Sequence, residues 1–96
     1  MAIGVTATLK VQEGKNEKFV AIFNQLTDAV KANENGCLFY ACHQSRDDAQ
    51  VYIVLEQYID ETALQAHSKT EYYHRLGNEL ASTLSAAPAI VVMDSI

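Results

Sequence analysis

The sequence has little that breaks or tethers a chain. Among its 96 residues are one proline and four glycines, which leaves little material for linkers. There are two cysteines, Cys37 and Cys42, without the partner pairs of a zinc knuckle. Positive charge is scarce: seven Lys and Arg stand against twelve Asp and Glu, a net charge of −5. With no basic surplus to neutralise phosphates, general binding to nucleic acid or to an anionic membrane is not expected. No apolar run approaches the roughly 18 residues of a membrane span. Residues Met1 to Thr6 lack the basic and long apolar regions of a signal peptide. The Gly-x-x-x-x-Gly-Lys phosphate loop and the Gly-x-Gly-x-x-Gly dinucleotide turn are both missing. A reduced, cytoplasmic setting is the expectation for such a chain.

What remains is the balance of one globular domain over residues 1–96, with 49% hydrophobic and 20% charged residues. Ile3, Val5, Ala7, Leu9 and Val11 alternate with polar or small residues, the period of a strand with one apolar face. Glu13-Gly14 ends it. Phe19, Phe23, Leu26 and Val30, widened by Ile22 and Ala29, then predict an amphipathic helix from about Asn16 to Ala32. Asn35-Gly36 suits a left-handed helix stop. Cys37–Gln44 and Val51–Tyr58 read as strands joined by the polar loop Ser45–Ala49. Asp60 and Thr70 can each cap a helix, so the second helical region is expected to break near Ser68–Thr70. Leu64, Tyr73, Leu76, Leu80 and Leu84 form its apolar side, Pro88 stops it, and Ala89–Met93 reads as a last strand.

The order β-α-β-β-α-β predicts an α+β, ferredoxin-like fold: a four-stranded antiparallel sheet with its helices on one face. Two helices cover one face only, yet the middle strands are apolar on both. Alternation turns Cys37, Phe39 and Ala41 one way and Leu38, Tyr40 and Cys42 the other. On that reading the cysteines lie on opposite faces and cannot form a disulfide. A bare second face is an apolar patch that monomers rarely tolerate, so a two-fold homodimer packed sheet to sheet is expected.

The chain resembles the antibiotic biosynthesis monooxygenase family, a set of dimeric α+β barrels. The resemblance rests on Glu13-Gly14-Lys15, on Glu34-Asn35-Gly36-Cys37-Leu38 and on Leu55-Glu56-Gln57-Tyr58. It continues through Ala63-Leu64-Gln65-Ala66-His67 and Thr70-Glu71-Tyr72-Tyr73. It implies a small-molecule enzyme. Members include quinol monooxygenases, anthrone-type oxygenases, an isomerase of a phosphorylated autoinducer and haem-degrading enzymes. Many oxygenate without metal, flavin or haem, so no cofactor is implied. There are departures. Asn35 stands where the family usually has Pro, and Tyr58 where Trp is common. The iron-binding His of the haem-degrading branch falls at Gly77, its helix Trp at His67 and its first-strand Asn at Ala7.

His67 is the first candidate for chemistry. A neutral imidazole can take a proton from a phenol or quinol; in the family's chemistry the electron-rich phenolate then passes an electron to O2. The alternative is a histidine that packs on the sheet. Glu56, a carboxylate in an apolar strand, can orient His67, act as a base, or make a structural hydrogen bond. Tyr58, Tyr72 and Tyr73 suit an aromatic ligand, offering a flat body and a polar tip. Tyr72 and Tyr73 point about 100° apart on a helix, so Tyr73 fits the core stripe and Tyr72 its edge. Phe23, Phe39 and His43 can line the same cavity. No His pair at i, i+4 with a carboxylate marks a metal site. The expected function is a cofactor-independent monooxygenase of a quinol or related small aromatic. An isomerase or signal-processing enzyme, or a non-catalytic binding module, are the alternatives. A phosphorylated substrate would need cations, and Lys69 and Arg75 are those of the second helical region.

Overall fold

Alternation in the first residues produces an edge-to-edge match between apolar side chains and the helical layer. In the computed structural model, which describes residues 1–96, β1 spans Ile3–Lys10, and Ile3, Val5, Ala7 and Leu9 are all buried. The helix α1 (Asn16–Asn33) packs Phe19, Ile22, Phe23, Leu26 and Val30 into one cluster with Ala7 and Leu9, whereas Ile3 and Val5 cluster with Tyr58, Ala63 and Leu64. Burying each such side chain is worth about 1.5–3 kcal/mol. β2 (Cys37–Gln44) and β3 (Val51–Tyr58) follow as a hairpin. Then come α2 (Glu61–Ser68), α3 (Glu71–Ala81) and β4 (Ala89–Asp94). The four strands form one sheet in the order β2-β3-β1-β4, with every neighbouring pair antiparallel. This is the expected α+β, ferredoxin-like arrangement, with the second helical region divided in two. No helix is long and apolar enough to cross a membrane.

The division has a local cause. Asp60 accepts from Ala63 N at 2.8 Å and starts α2. Thr70 acts on both helices: its hydroxyl donates to His67 O at 2.9 Å and accepts from Tyr73 N at 3.3 Å. One side chain thus closes α2 and opens α3.

Three local expectations need correction. Asn35-Gly36 is not a left-handed stop, because Gly14 is the residue with positive φ, at 86°. Gly36 answers a different need: a Cβ there would lie 2.7 Å from the Ala63 Cβ of α2. Pro88 does not end the helix either. α3 stops at Ala81, because the end of β1 captures the segment after it. Gln12 N donates to Thr83 O and Ser85 N to Lys10 O, both at 2.8 Å, and Leu84 bridges to Val11 outside the helix.

The third correction concerns the faces of β2. Pairing with β3 shifts register between Cys37 and Phe39, a bulge that strict alternation does not anticipate. Cys37 pairs with Tyr58 and Cys42 with Val54, so both thiols lie on the inner face, and Leu38 is turned out. Both cysteines are free, and burial pushes each thiol up to about 11. They stay protonated at neutral pH and act as small apolar side chains. On the opposite face Phe39, Leu55, Val91 and Met93 are 40–53% exposed, an open apolar surface next to Ala41, Ile53 and Thr6.

Candidate functional site

Between the inner face of the sheet and helices α2 and α3 lies a cavity of about 540 Å³. That is within the usual range for small-molecule sites, roughly 300–1,000 Å³. Its walls are largely apolar, with Val5, Leu9, Phe23, Val54, Leu64 and Leu80 among them. No Lys or Arg lines it. Arg75 is engaged on the surface of α3 with Glu71 at 3.0 Å and Glu79 at 3.9 Å. No three His, Cys, Asp or Glu side chains converge as a set of metal ligands.

His67 lines the cavity and is 4% exposed. The one-turn spacing from Leu64 turns both residues of α2 toward the sheet. Its ring sits among three tyrosines, with centroids 5.4 Å from Tyr40, 5.4 Å from Tyr58 and 4.8 Å from Tyr73. Nδ1 lies 2.9 and 3.0 Å from the two carboxylate oxygens of Glu34, at the end of α1. Tyr72 donates its hydroxyl to the same carboxylate. A carboxylate only accepts, so in the neutral ring the proton sits on Nδ1 and the lone pair on Nε2. Glu34 does not line the cavity. It opens instead onto a separate shallow recess with Tyr72 and Thr70. His67 is therefore held from behind, with its other nitrogen left for the cavity.

Glu56 lines the cavity from β3. The hydroxyl of Tyr58 donates to its Oε1 at 2.6 Å. Burial raises its pKa above the ordinary carboxylate value; the Tyr58 bond and the nearby His67 pull it down less strongly, and Glu34 adds to the rise. Glu56 makes no bond to His67, so orienting the imidazole falls to Glu34.

Of the residues singled out from the sequence, His67, Glu56, Tyr73 and Phe23 line the cavity. Tyr58 stands one hydrogen bond from the cavity, on Glu56, and Tyr72 two, through Glu34 to His67. Tyr73 is half-buried cavity wall rather than plain core, and burial raises its hydroxyl pKa. Phe39 and His43 do not join them. Both are exposed on the opposite face of the sheet, paired with Gln57 and Ile53. Sequence reasoning assigned no role to Glu34 or Tyr40. Glu34 lay within a quoted motif, but nothing local marks a helix-end carboxylate as the partner of a histidine on another helix.

The antibiotic biosynthesis monooxygenase family matches residues 2–78. Among solved structures, a candidate antibiotic biosynthesis monooxygenase from Caulobacter crescentus CB15 is 42% identical, with a TM-score of 0.97 over 99% of this chain and 90% of that one. A protein of Pseudomonas aeruginosa is 26% identical, with a TM-score of 0.87 over 99% of this chain and 94% of its own. A candidate monooxygenase of the same family from Nitrosomonas europaea, 19% identical, shares the fold at a TM-score of 0.94 over 99% and 90%. No curated protein matches the chain. The chain belongs to the antibiotic biosynthesis monooxygenase family.

Proposed function

We propose that this protein is a monooxygenase that oxidises a quinol or related small aromatic with O2, with His67 as general base. The bond between Glu34 and Nδ1 supports this most directly, because it leaves Nε2 as a proton acceptor beside an apolar cavity. Family membership supports the reaction class. The absence of Lys and Arg from the lining favours an uncharged ring over a phosphorylated ligand.

Nε2 takes the proton of a ring hydroxyl, and Glu34 stabilises the imidazolium. The phenolate gives one electron to O2, the radical pair joins at a ring carbon as a peroxide, and the imidazolium returns its proton to give the hydroperoxide. Loss of water then leaves the hydroxyquinone. Overall, quinol plus O2 gives hydroxyquinone plus water, and the scheme calls on no metal or flavin. Tyr73 and Phe23 hold the flat ring, and the apolar wall keeps bulk water from the charged intermediate. Residues 1–96 act as one unit in this scheme. Two copies pair through the open face carrying Phe39, Leu55, Val91 and Met93.

Oxygen uptake by chelator-treated protein over a panel of hydroquinones tests the function. Uptake above autoxidation is expected, and His67→Ala is expected to lower it by about 10²–10⁴-fold. Uptake that survives the substitution removes His67 as the base. No uptake across the panel removes the monooxygenase.

A further inference from the structure

Two side-chain pairs meet the cavity, and in each the outer member stands behind the wall. His67 faces in and Glu34 holds it; Glu56 faces in and Tyr58 holds it. Neither Glu34 nor Tyr58 lines the cavity. Tyr58 takes one oxygen of Glu56, and the other, Oε2, has no protein partner and no cation paired with it. No sealed side-chain oxygen or nitrogen goes without a hydrogen bond. Oε2 therefore opens to the cavity rather than into the core.

The fold asks here for one acceptor, for the buried Tyr58 hydroxyl, and Oε1 supplies it; nothing in the fold uses the second oxygen. Glu56 pairs with Val5 on one side and Tyr40 on the other, and its neighbours on the inner face of β3 are Val54 and Tyr58. Apolar residues at both 56 and 58 would fill the space without the desolvation cost of a carboxyl group or an orphaned hydroxyl. The cost is offset when a ligand oxygen completes the hydrogen bond.

We infer that Glu56 is the second recognition point of the cavity. It bonds a ligand oxygen other than the one facing His67, so the site selects aromatic rings with two oxygen functions over monophenols. The inference rests on the placement of the first ligand oxygen at His67 given above. Oε2 accepts from a ring hydroxyl as a carboxylate and donates to the ring oxygen as a carboxyl, and burial shifts the balance toward the second form. Donation at that point matches the oxidation, in which the second oxygen becomes a carbonyl. Tyr58 is a positioning residue: it fixes the rotamer of Glu56 without touching the ligand.

The test is equilibrium binding under anaerobic conditions, where no turnover occurs. The probes are 1,4-naphthohydroquinone and 1-naphthol, which differ by the second oxygen. The wild-type protein is expected to bind the hydroquinone about tenfold more tightly, as a site with an unmet polar group rejects the analogue lacking its partner. Glu56→Gln keeps a donor and an acceptor and is expected to keep the preference. Glu56→Leu with Tyr58→Phe removes both partners, so no buried hydroxyl is orphaned, and is expected to bring the two affinities within about twofold. Equal wild-type affinities, or no binding of either probe, overturn the inference. So does a preference that persists in the folded double variant. If the double variant does not fold, Tyr58→Phe decides: it releases the Glu56 rotamer and is expected to narrow the ratio several-fold, and an unchanged ratio overturns the inference. Binding with the expected ratio but no oxygen uptake counts against the monooxygenase and leaves Glu56 in its role. Uptake that depends on His67 without any such ratio does the reverse.

Discussion

Glu34 and His67 are 33 residues apart in the chain, and the carboxylate of the first takes Nδ1 of the second at 2.9 Å. The contact ties the end of α1 to the last turn of α2. It also fixes which ring nitrogen faces the cavity.

Glu34→Gln keeps an acceptor for Nδ1 but removes the charge that stabilises an imidazolium. The expected result is a fall in kcat of about 10–100-fold, the scale of losing the carboxylate that orients a metal-bound histidine. KM should change little, since Glu34 does not line the cavity. Steady-state oxygen uptake measures both, and an unchanged kcat would mean that His67 works without its partner.

Gly36→Ala forces a methyl to within 2.7 Å of the Ala63 Cβ. Overpacking of this kind costs about 1–3 kcal/mol, and the displaced element here is the helix that bears His67. Gly77→Ala is the contrasting case. It lies within α3 with nothing inside 4 Å of the new Cβ, and a gain of up to about 1 kcal/mol is expected. Urea denaturation of the two variants should give opposite signs.

Glu56 makes stability depend on pH in a direction opposite to that of an ion-paired carboxylate. Its pKa is raised on folding, above an ordinary value of 4.5, chiefly by burial. Between the unfolded and folded pKa values the native state therefore holds more protons than the unfolded chain. Stability from this group is greatest below the unfolded pKa and is lost as pH rises through the folded one. The stability of wild type relative to Glu56→Gln should fall as pH is raised from about 4 into that window. A gap that grows with pH would mean that the Tyr58 and His67 interactions outweigh burial.

Leu55→Lys places a charge in the centre of the open face, beside Phe39, Ala41 and Thr6. The wild-type protein is expected to sediment as a dimer and the variant as a monomer with the same fold by circular dichroism. A monomeric wild type would show that the face stays open in solution.

The strands and the first helix were legible because each has a simple period and one buried side. The break between α2 and α3 was legible too, since a threonine at a helix start carries its own chemistry. The bulge at Cys37–Phe39 was not, because it follows from how β2 meets β3 rather than from β2 itself. It left Phe39 and His43 on the face away from the cavity and moved Cys37 onto the inner one. The end of α3 was lost for a related reason: Gln12 and Lys10, more than 70 residues earlier, capture Thr83 and Ser85. In the site, Glu56 stood out as a carboxylate in an apolar strand, and His67 as an imidazole within a motif shared with the family. Glu34 did not, since an acidic residue at the end of a helix looks solvated until another helix packs over it.

The strand order also sets a timetable for synthesis. β1 leaves the ribosome first, yet it lies between β3 and β4, whose last residues are Tyr58 and Asp94. At about 5–20 residues per second, its apolar side waits several seconds for the second neighbour. Throughout that interval α1 is the local cover for Ala7 and Leu9, while Ile3 and Val5 wait for Tyr58, Ala63 and Leu64. The nascent chain therefore depends on an early β1–α1 contact to stay out of aggregates, well before any cavity exists.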